Sequence, residues 1–358
     1  MHNPISLPTA LVTGAAGFIG SHVVRALLAR GRVMVIALDD LSGGFIRNIP
    51  EGVEFVEGSV TDHAFLTRLF DRYRFRYVYH LAAYAAEGLS HFIRRFNYTN
   101  NVIGSVNLIN EAVRHEVDCF VFTSSIAVYG AITPPMSEDQ TPRPEDPYGI
   151  AKLAIELDLA AAGHMFGLPY VIFRPHNVYG EYQNLGDPYR NVIGIFMNQI
   201  MSGNPMTVFG EGIQRRAFSY IGDIIPAIVE APWASGAHGE VFNIGADTSY
   251  SINELTEQVA LTMGRPGHPV QHLPPRDEVM YAYSDHRKAE RVFGTKAHTP
   301  LQEGLKRMAS WALRVGIQRA KPFEGVEVSR NLPPSWRNLL SGGHPRPTQW
   351  GRALDVAE

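Results

Sequence analysis

Three glycines, Gly14, Gly17 and Gly20, fall between a β-branched run and an apolar helical stretch. No other feature limits the fold of this chain so tightly. Leu11-Val12-Thr13 reads as a strand. Residues 18–30 have helical periodicity and stop at Gly31, a residue suited to the left-handed position past a helix end. A chain passing from strand to helix through Thr13-Gly14-Ala15-Ala16-Gly17-Phe18-Ile19-Gly20 must turn tightly. Side chains in that turn would obstruct it and hold the helix off the strand. The helix start then offers unpaired N–H groups and the positive end of its dipole to phosphate oxygens. Asp39 follows roughly 20 residues on, at the end of a second strand-like run over 33–38. A carboxylate there accepts hydrogen bonds from both hydroxyls of an adenosine ribose and repels a 2′-phosphate, which favours NAD over NADP.

Further strand-like runs occur at 53–56, 77–79, 120–122 and 170–173, with helical segments over 62–73 and 97–115 between them. This alternation predicts an α/β fold. The sheet is parallel and doubly wound, and its crevice lies at the carboxyl ends of the strands. Asp146-Pro147-Tyr148 predicts a helix start, with Asp146 as cap and Pro147 in the first position, running through Lys152 toward Ala162. Past residue 177, loops rich in Asn, Gly, Pro and Tyr separate shorter elements and imply a smaller lobe. The expected division is 1–176 for the dinucleotide domain (with later crossover segments), 177–320 for the second lobe and 321–358 for a C-terminal extension. That extension reads as an ordered wrap, a partner contact or a frayed tail.

The bulk numbers exclude several classes. The 358 residues suit one large or two modest domains, and 45% apolar with 19% charged residues is ordinary for a soluble enzyme. A net charge of −3 argues against nucleic acid or a membrane surface as partner. Cys119 is the only cysteine, so no intrachain disulfide forms, and its apolar run predicts a buried core thiol. Residues 1–8 lack the basic and apolar regions of a signal peptide, so a cytoplasmic location is expected.

Tyr148 and Lys152 stand four apart and share one helical face. A tyrosine with its ordinary pKa near 10 is a poor base at neutral pH. A nearby lysine ammonium and a positive nicotinamide ring are expected to favour the phenolate. Ser125, at the end of a strand-like run, can hydrogen-bond the reacting oxygen and relay its proton. Together with the glycine turn, the set points to hydride removal from a carbinol.

With these motifs the chain resembles the extended short-chain dehydrogenase/reductase family, and within it the nucleotide-diphospho-sugar 4-epimerases, over residues 8–315. The resemblance rests on the glycine turn, Asp39-Asp40-Leu41, His80-Leu81-Ala82-Ala83, Asn100-Asn101, residues 124–130, the Tyr148–Lys152 pair, residues 174–180, 207–210 and 216–223. It implies a Rossmann-type domain with a smaller α/β substrate-binding lobe and tightly bound NAD. Gly14, Gly17, Phe18 and Ile19 would meet the pyrophosphate. Asp39, with Asp40 beside it, would meet the adenosine ribose, and Ser59 and Val60 the adenine. Leu81, Ala82, Ala83 and Asn100 would line or support the cofactor along with Tyr148 and Lys152, and His176 would flank the nicotinamide end.

The resemblance also implies a UDP-sugar substrate. Asn177, Asn191 and Val192 would follow its diphosphate, Thr207, Val208 and Phe209 its base, and Arg216 and Arg276 its phosphate oxygens. Ser125, Tyr148 and Lys152 would be catalytic. Glu87, just past the cofactor-lining alanines, is a candidate substrate contact whose simpler reading is a solvated loop acid. Ile126-Ala127 stands where related dehydratases, decarboxylases and other epimerases carry acids or a cysteine, so chemistry is expected to stop at one carbon, as 4-epimerisation. A 4,6- or 5,6-dehydratase, a nucleotide-sugar reductase and a non-enzymatic NAD sensor are the alternatives. UDP-glucose/galactose, their N-acetyl forms and UDP-glucuronate/galacturonate all fit. Arg94, Arg95 or Arg190 could meet a C6 carboxylate. No metal is expected, and a homodimer through helices near 101–115 and 151–162 is.

Overall fold

The computed structural model describes residues 7–340, apart from 277, 296 and 320–322. Six strands follow one another in the first half: β1 (Thr9–Thr13), β2 (Met34–Asp39), β3 (Glu54–Glu57), β4 (Tyr77–His80), β5 (Cys119–Thr123) and β6 (Tyr170–Pro175). Glu240–Ile244 returns from the second half as β7. The seven-stranded sheet has the order β7-β6-β5-β4-β1-β2-β3, every neighbour parallel. The order reverses between β1 and β4, which opens a crevice at their carboxyl ends.

Helices cover both faces, so β1 and β5 are buried along their whole length. The connecting helices are α1 (Phe18–Arg30), α2 (His63–Tyr73), short α3 (Glu87–Ser90) and α4 (Arg94–Tyr98), α5 (Gly104–Arg114) and α6 (Pro147–Phe166). Asp62 caps α2 by accepting from the Phe65 N–H at 2.9 Å. The single helix expected over 97–115 is instead α4, a wide π turn over Thr99–Ile103, and α5. The wide turn carries Asn101 inward, where its side chain accepts from the Tyr84 N–H at 2.8 Å and donates to the Tyr84 carbonyl at 3.1 Å. That amide thereby holds the loop after β4, a tertiary demand that periodicity does not reveal.

The second half is more helical than its loop-rich composition implies. It adds α7 (Val192–Met201), α8 (Ile221–Glu230), α9 (Ile252–Thr262), α10 (Arg287–Phe293) and α11 (Leu301–Val315), with short strands among them. α8 crosses back to pack on α1, and β7 closes the sheet edge. Cys119 is fully buried in the core, and burial pushes its thiol up to about 12.

Residues 323–340 wrap across the molecule. Leu332 and Trp336 are buried with Ala86, Leu89, Ile93 and Tyr189. The Glu327 carboxylate accepts from the Arg95 and Phe96 N–H groups, both at 2.8 Å, at the start of α4. Residues 341–358 lie outside the described residues.

Candidate active site

A cleft of about 520 Å³ opens at the carboxyl ends of the strands, lined by residues of both halves of the chain. Its size suits a cofactor and substrate rather than a solvent pocket. One end is the glycine turn. Gly14 has φ +67°, and a Cβ there would lie 2.7 Å from the Ala82 backbone nitrogen. Thr13 Oγ1 accepts from the Leu81 and Ala82 N–H groups at 3.2 Å each, which fixes the alanine loop against the turn. Gly17 caps α1 with no side chain on the first N–H groups, so these remain available to an anion. Asp39 ends β2 inside the cleft and accepts from the Ala16 N–H at 2.9 Å and the Leu41 N–H at 2.8 Å. Burial raises its pKa, and those two N–H groups oppose the rise. Its two oxygens retain lone pairs for ribose hydroxyls. Bare helix start, side-chain-free cradle and carboxylate together fit a dinucleotide.

Farther along the cleft stands the proton-transfer set. Asp146 caps α6, accepting from the Tyr148 and Gly149 N–H groups at 2.9 Å each. A Cβ on Gly149 would lie 2.5 Å from the Ala127 carbonyl oxygen, so a glycine is what lets the first turn of α6 approach the Ser125–Ala127 segment. Ser125 and Tyr148 thereby line one wall.

Lys152 behaves differently from the expectation. Its Nζ donates to the Thr123 carbonyl at 2.7 Å and lies 5.8 Å from the Tyr148 ring centre. Burial pushes its ammonium down to about 7, against the pull of Glu156. The Tyr148 phenol is raised, not lowered: burial dominates, the Ser125 hydroxyl pulls it back, and Glu87 and Asp146 push it further up.

Behind this wall, Glu156 on α6 and Arg174 on β6 form a buried ion pair, each 5% exposed or less. Arg174 Nε donates to Glu156 at 2.9 Å, and Nη1 donates to the Tyr129 hydroxyl at 2.7 Å, which donates in turn to Asn243 on β7 at 2.9 Å. Ser124 also donates to Glu156. The network ties β5, α6, β6 and β7 together beneath Ser125 and Tyr148.

The second half of the chain supplies further lining residues. Arg216 and Arg276 both line it, and both face the Glu278 carboxylate, at 3.3 Å and 3.5 Å. Arg276 also lies over the Phe209 ring at 4.4 Å. Burial lowers the Arg216 pKa, and Glu278 is the main force holding its charge. The pair is thus held in place by one acid and keeps a surplus positive charge, as phosphate oxygens require.

Of the sequence candidates, all but Ser59, Arg94 and Arg95 line the cleft. Ser59 Oγ bonds Thr61 Oγ1 at 2.9 Å, and Gly58 and Val60 face the cleft on either side of it. Asn100 donates to the Phe96 carbonyl at 2.9 Å. His176 reaches the wall with 1% exposure. Its Nδ1 is 3.0 Å from the Ala217 carbonyl and its Nε2 is 2.9 Å from His286, and burial pushes it down to about 3. Asn177 and Asn191 both adopt positive φ, 41° and 64°. Thr207 Oγ1 accepts from Gln199 at 2.9 Å.

Glu87 corrects its simpler reading. It opens α3 at the cleft wall rather than on an outer loop. Burial raises its carboxyl to about 7, Asp146 adds to the rise, and Arg216 and Arg276 oppose it. Arg190 lines the cleft, with Nε donating to Asp187 at 2.6 Å, whereas Arg94 and Arg95 do not line it. Among the described residues, no cluster of three or more His, Cys, Asp and Glu could hold a metal, and no helix is long and apolar enough to cross a membrane. Sequence reasoning gave Glu278, Asn101 and the Glu156–Arg174 pair none of these roles, and only the last lay in elements whose approach a β–α–β pattern could suggest.

Residues 10–245 match the NAD dependent epimerase/dehydratase family. The chain is 35% identical over 306 residues to the UDP-glucose 4-epimerase of Mycolicibacterium smegmatis, with 82% of this chain and 95% of that one covered. Against the UDP-glucose 4-epimerase of Thermotoga maritima, solved with UDP-glucose, the TM-score is 0.82 at 34% identity, covering 86% of this chain and 99% of the other. A UDP-glucuronic acid 4-epimerase from Bacillus cereus, solved with UDP-glucuronic acid and NAD, gives 0.79 at 28% identity, covering 86% and 99%. The glycine turn, Asp39 and the Tyr148–Lys152 face all lie inside the matched span, and the chain belongs to the NAD-dependent epimerase/dehydratase family as an enzyme whose cofactor is NAD.

Proposed function

We propose that the enzyme inverts C4 of a UDP-hexose through a transient 4-keto sugar. One observation carries this reading. Ser125 and Tyr148 share a cleft wall between the glycine turn and the Arg216–Arg276 pair, while the next residues, Ile126 and Ala127, are apolar. That wall offers a proton acceptor for one hydroxyl and no acid or thiol at those two positions. Tyr148, hydrogen-bonded through Ser125, removes the 4-hydroxyl proton and later returns it. NAD, held by the glycine turn and Asp39, would supply the hydride acceptor and donor at C4 and a positive ring charge that favours the phenolate. Lys152, fixed on the Thr123 carbonyl, holds its place beneath the cofactor site. Arg216 and Arg276 grip the diphosphate, so the sugar can turn about its phosphate bonds and present its other face.

UDP-glucose/UDP-galactose is the first reading for the sugar, following the relatives' substrates. UDP-glucuronate/UDP-galacturonate is the second, favoured by Arg190 at the cleft wall. Incubating the enzyme with each pair, without added cofactor, and reading C4 configuration by proton NMR tests this. Interconversion within one pair is expected. No C4 product from either pair or from the N-acetyl forms ends the reading.

The resemblance further supports a homodimer through α5 and α6. Ile150 and Leu157 lie seven apart on one face of α6 and are 40% and 64% exposed, and Ile103, just before α5, is 51% exposed. Leu157→Glu is expected to convert a dimer to a monomer in light scattering on a sizing column. A wild-type monomer would contradict it.

A further inference from the structure

The strap over 323–340 backs the cleft without entering it. The resemblance to the epimerases spans residues 8–315, so the strap lies past it. Phe323 donates its N–H to the Tyr189 hydroxyl at 3.2 Å, and its ring lies 5.2 Å from that of Tyr84 and 4.8 Å from that of Phe96. Trp336, on the short helix Pro334–Leu340, is 3% exposed and does not line the cleft. Its ring meets Tyr189 edge-to-face at 5.2 Å and Phe209 at 6.4 Å, and the Arg276 guanidinium lies 5.9 Å from the ring centre. A Cβ on Gly88 would lie 3.2 Å from Trp336 Cη2, so the ring also packs closely on α3. Tyr84, Gly88, Phe96, Tyr189, Phe209 and Arg276 all line the cleft. Each of these strap contacts therefore ends on a residue that faces the ligand space.

We propose that Trp336 is a positioning residue for the substrate: its ring holds Arg276 and Phe209 in the arrangement that grips the nucleoside diphosphate, so that the strap sets substrate affinity without touching the sugar. The inference rests on the reading that Arg276 meets the diphosphate and Phe209 the base. A long arginine side chain samples many rotamers, and ordering it only when a ligand arrives weakens binding. The Arg276 side chain is 31% exposed, and Glu278 stands 3.5 Å from its Nε. One carboxylate near Nε leaves much of that freedom in place. Two rings, Phe209 at 4.4 Å and Trp336 at 5.9 Å, restrict it before any ligand binds. A ring attracts a cation without using its N–H donors, so the guanidinium keeps its fork for phosphate oxygens. Because Trp336 faces Phe209 as well, one strap residue braces the phosphate contact and the base contact together.

The test is calorimetric titration of the full-length holoenzyme with UDP, alongside steady-state turnover of a UDP-hexose. Trp336→Ala is expected to weaken UDP binding by about tenfold or more, to raise KM in parallel and to change kcat less. NAD content reports that the cofactor half is folded. Trp336→Phe, which keeps a ring against Arg276, is expected to recover most of the affinity, whereas Trp336→Leu, which keeps bulk without a ring, is not. A Trp336→Ala variant that unfolds more readily in urea but binds UDP as wild type does would show that the residue serves only packing, and overturns the inference. If that variant loses its NAD, the Phe and Leu variants decide: equal UDP affinity in both overturns the inference, and weaker binding in Leu alone supports it. Wild-type protein that binds dTDP or GDP in place of UDP ends the UDP reading alone, and a matching loss of that nucleotide on Trp336→Ala supports the strap's role. Wild-type protein that binds no nucleoside diphosphate removes the phosphate role of Arg276 and this inference with it.

Discussion

Tyr148→Phe is expected to lower kcat by about 10³-fold or more, while NAD stays bound at wild-type content. The effect is large because the phenolic oxygen is the proposed acceptor for the 4-hydroxyl proton, and removing a placed acid–base group costs on the order of 10²–10⁴-fold. Retention of the cofactor follows from geometry. The glycine turn, the bare start of α1 and the Asp39 carboxylate form the other end of the cleft and do not depend on that hydroxyl. Ring packing is kept as well, since the Tyr148 side chain is 8% exposed and loses one oxygen. Single-substrate turnover and NAD released on denaturation measure the two halves separately. Activity equal to wild type would refute the assigned base.

Glu156→Ala is expected to destabilise the protein by about 3–5 kcal/mol, because it leaves the buried Arg174 charge without its partner. Arg174 would keep only the Tyr129 hydroxyl. Solvation of a guanidinium in a mostly dry interior is costly, and the mutation also strips Ser124 of its acceptor. The double variant Glu156→Leu with Arg174→Leu should recover most of the loss, since replacing a buried pair by apolar groups is often neutral. Urea denaturation of the three proteins measures this. A loss under about 1 kcal/mol for the single variant would mean that water reaches Arg174 and that the network does not anchor the cleft wall.

Much of the cofactor end was legible in the residues. Gly14, Gly17, Gly20 and Asp39 answer to local geometry, a turn and a strand end, and local geometry is written in spacing. Asp146 and Pro147 likewise announced the helix that carries Tyr148 and Lys152. What spacing cannot give is where a long side chain ends up. Lys152 shares a face with Tyr148, yet its ammonium donates to the Thr123 carbonyl and lies 5.8 Å from the Tyr148 ring centre. Glu87 looks like a loop acid because α3 is four residues long, and only its docking in the cleft reveals its setting. Glu278 joins Arg216 from a position 62 residues away, and β7 joins the sheet after a long excursion in sequence from β6. Long-range pairings of this kind leave no periodic trace.

The central claim is that a resident dinucleotide is used and restored at every turnover. Denaturing the purified protein and quantifying what is released tests it most directly. The account predicts NAD in amounts matching the chain, together with conversion of a UDP-hexose that needs no added cofactor. Protein that releases none, and that acts only while consuming supplied NADPH, would contradict it.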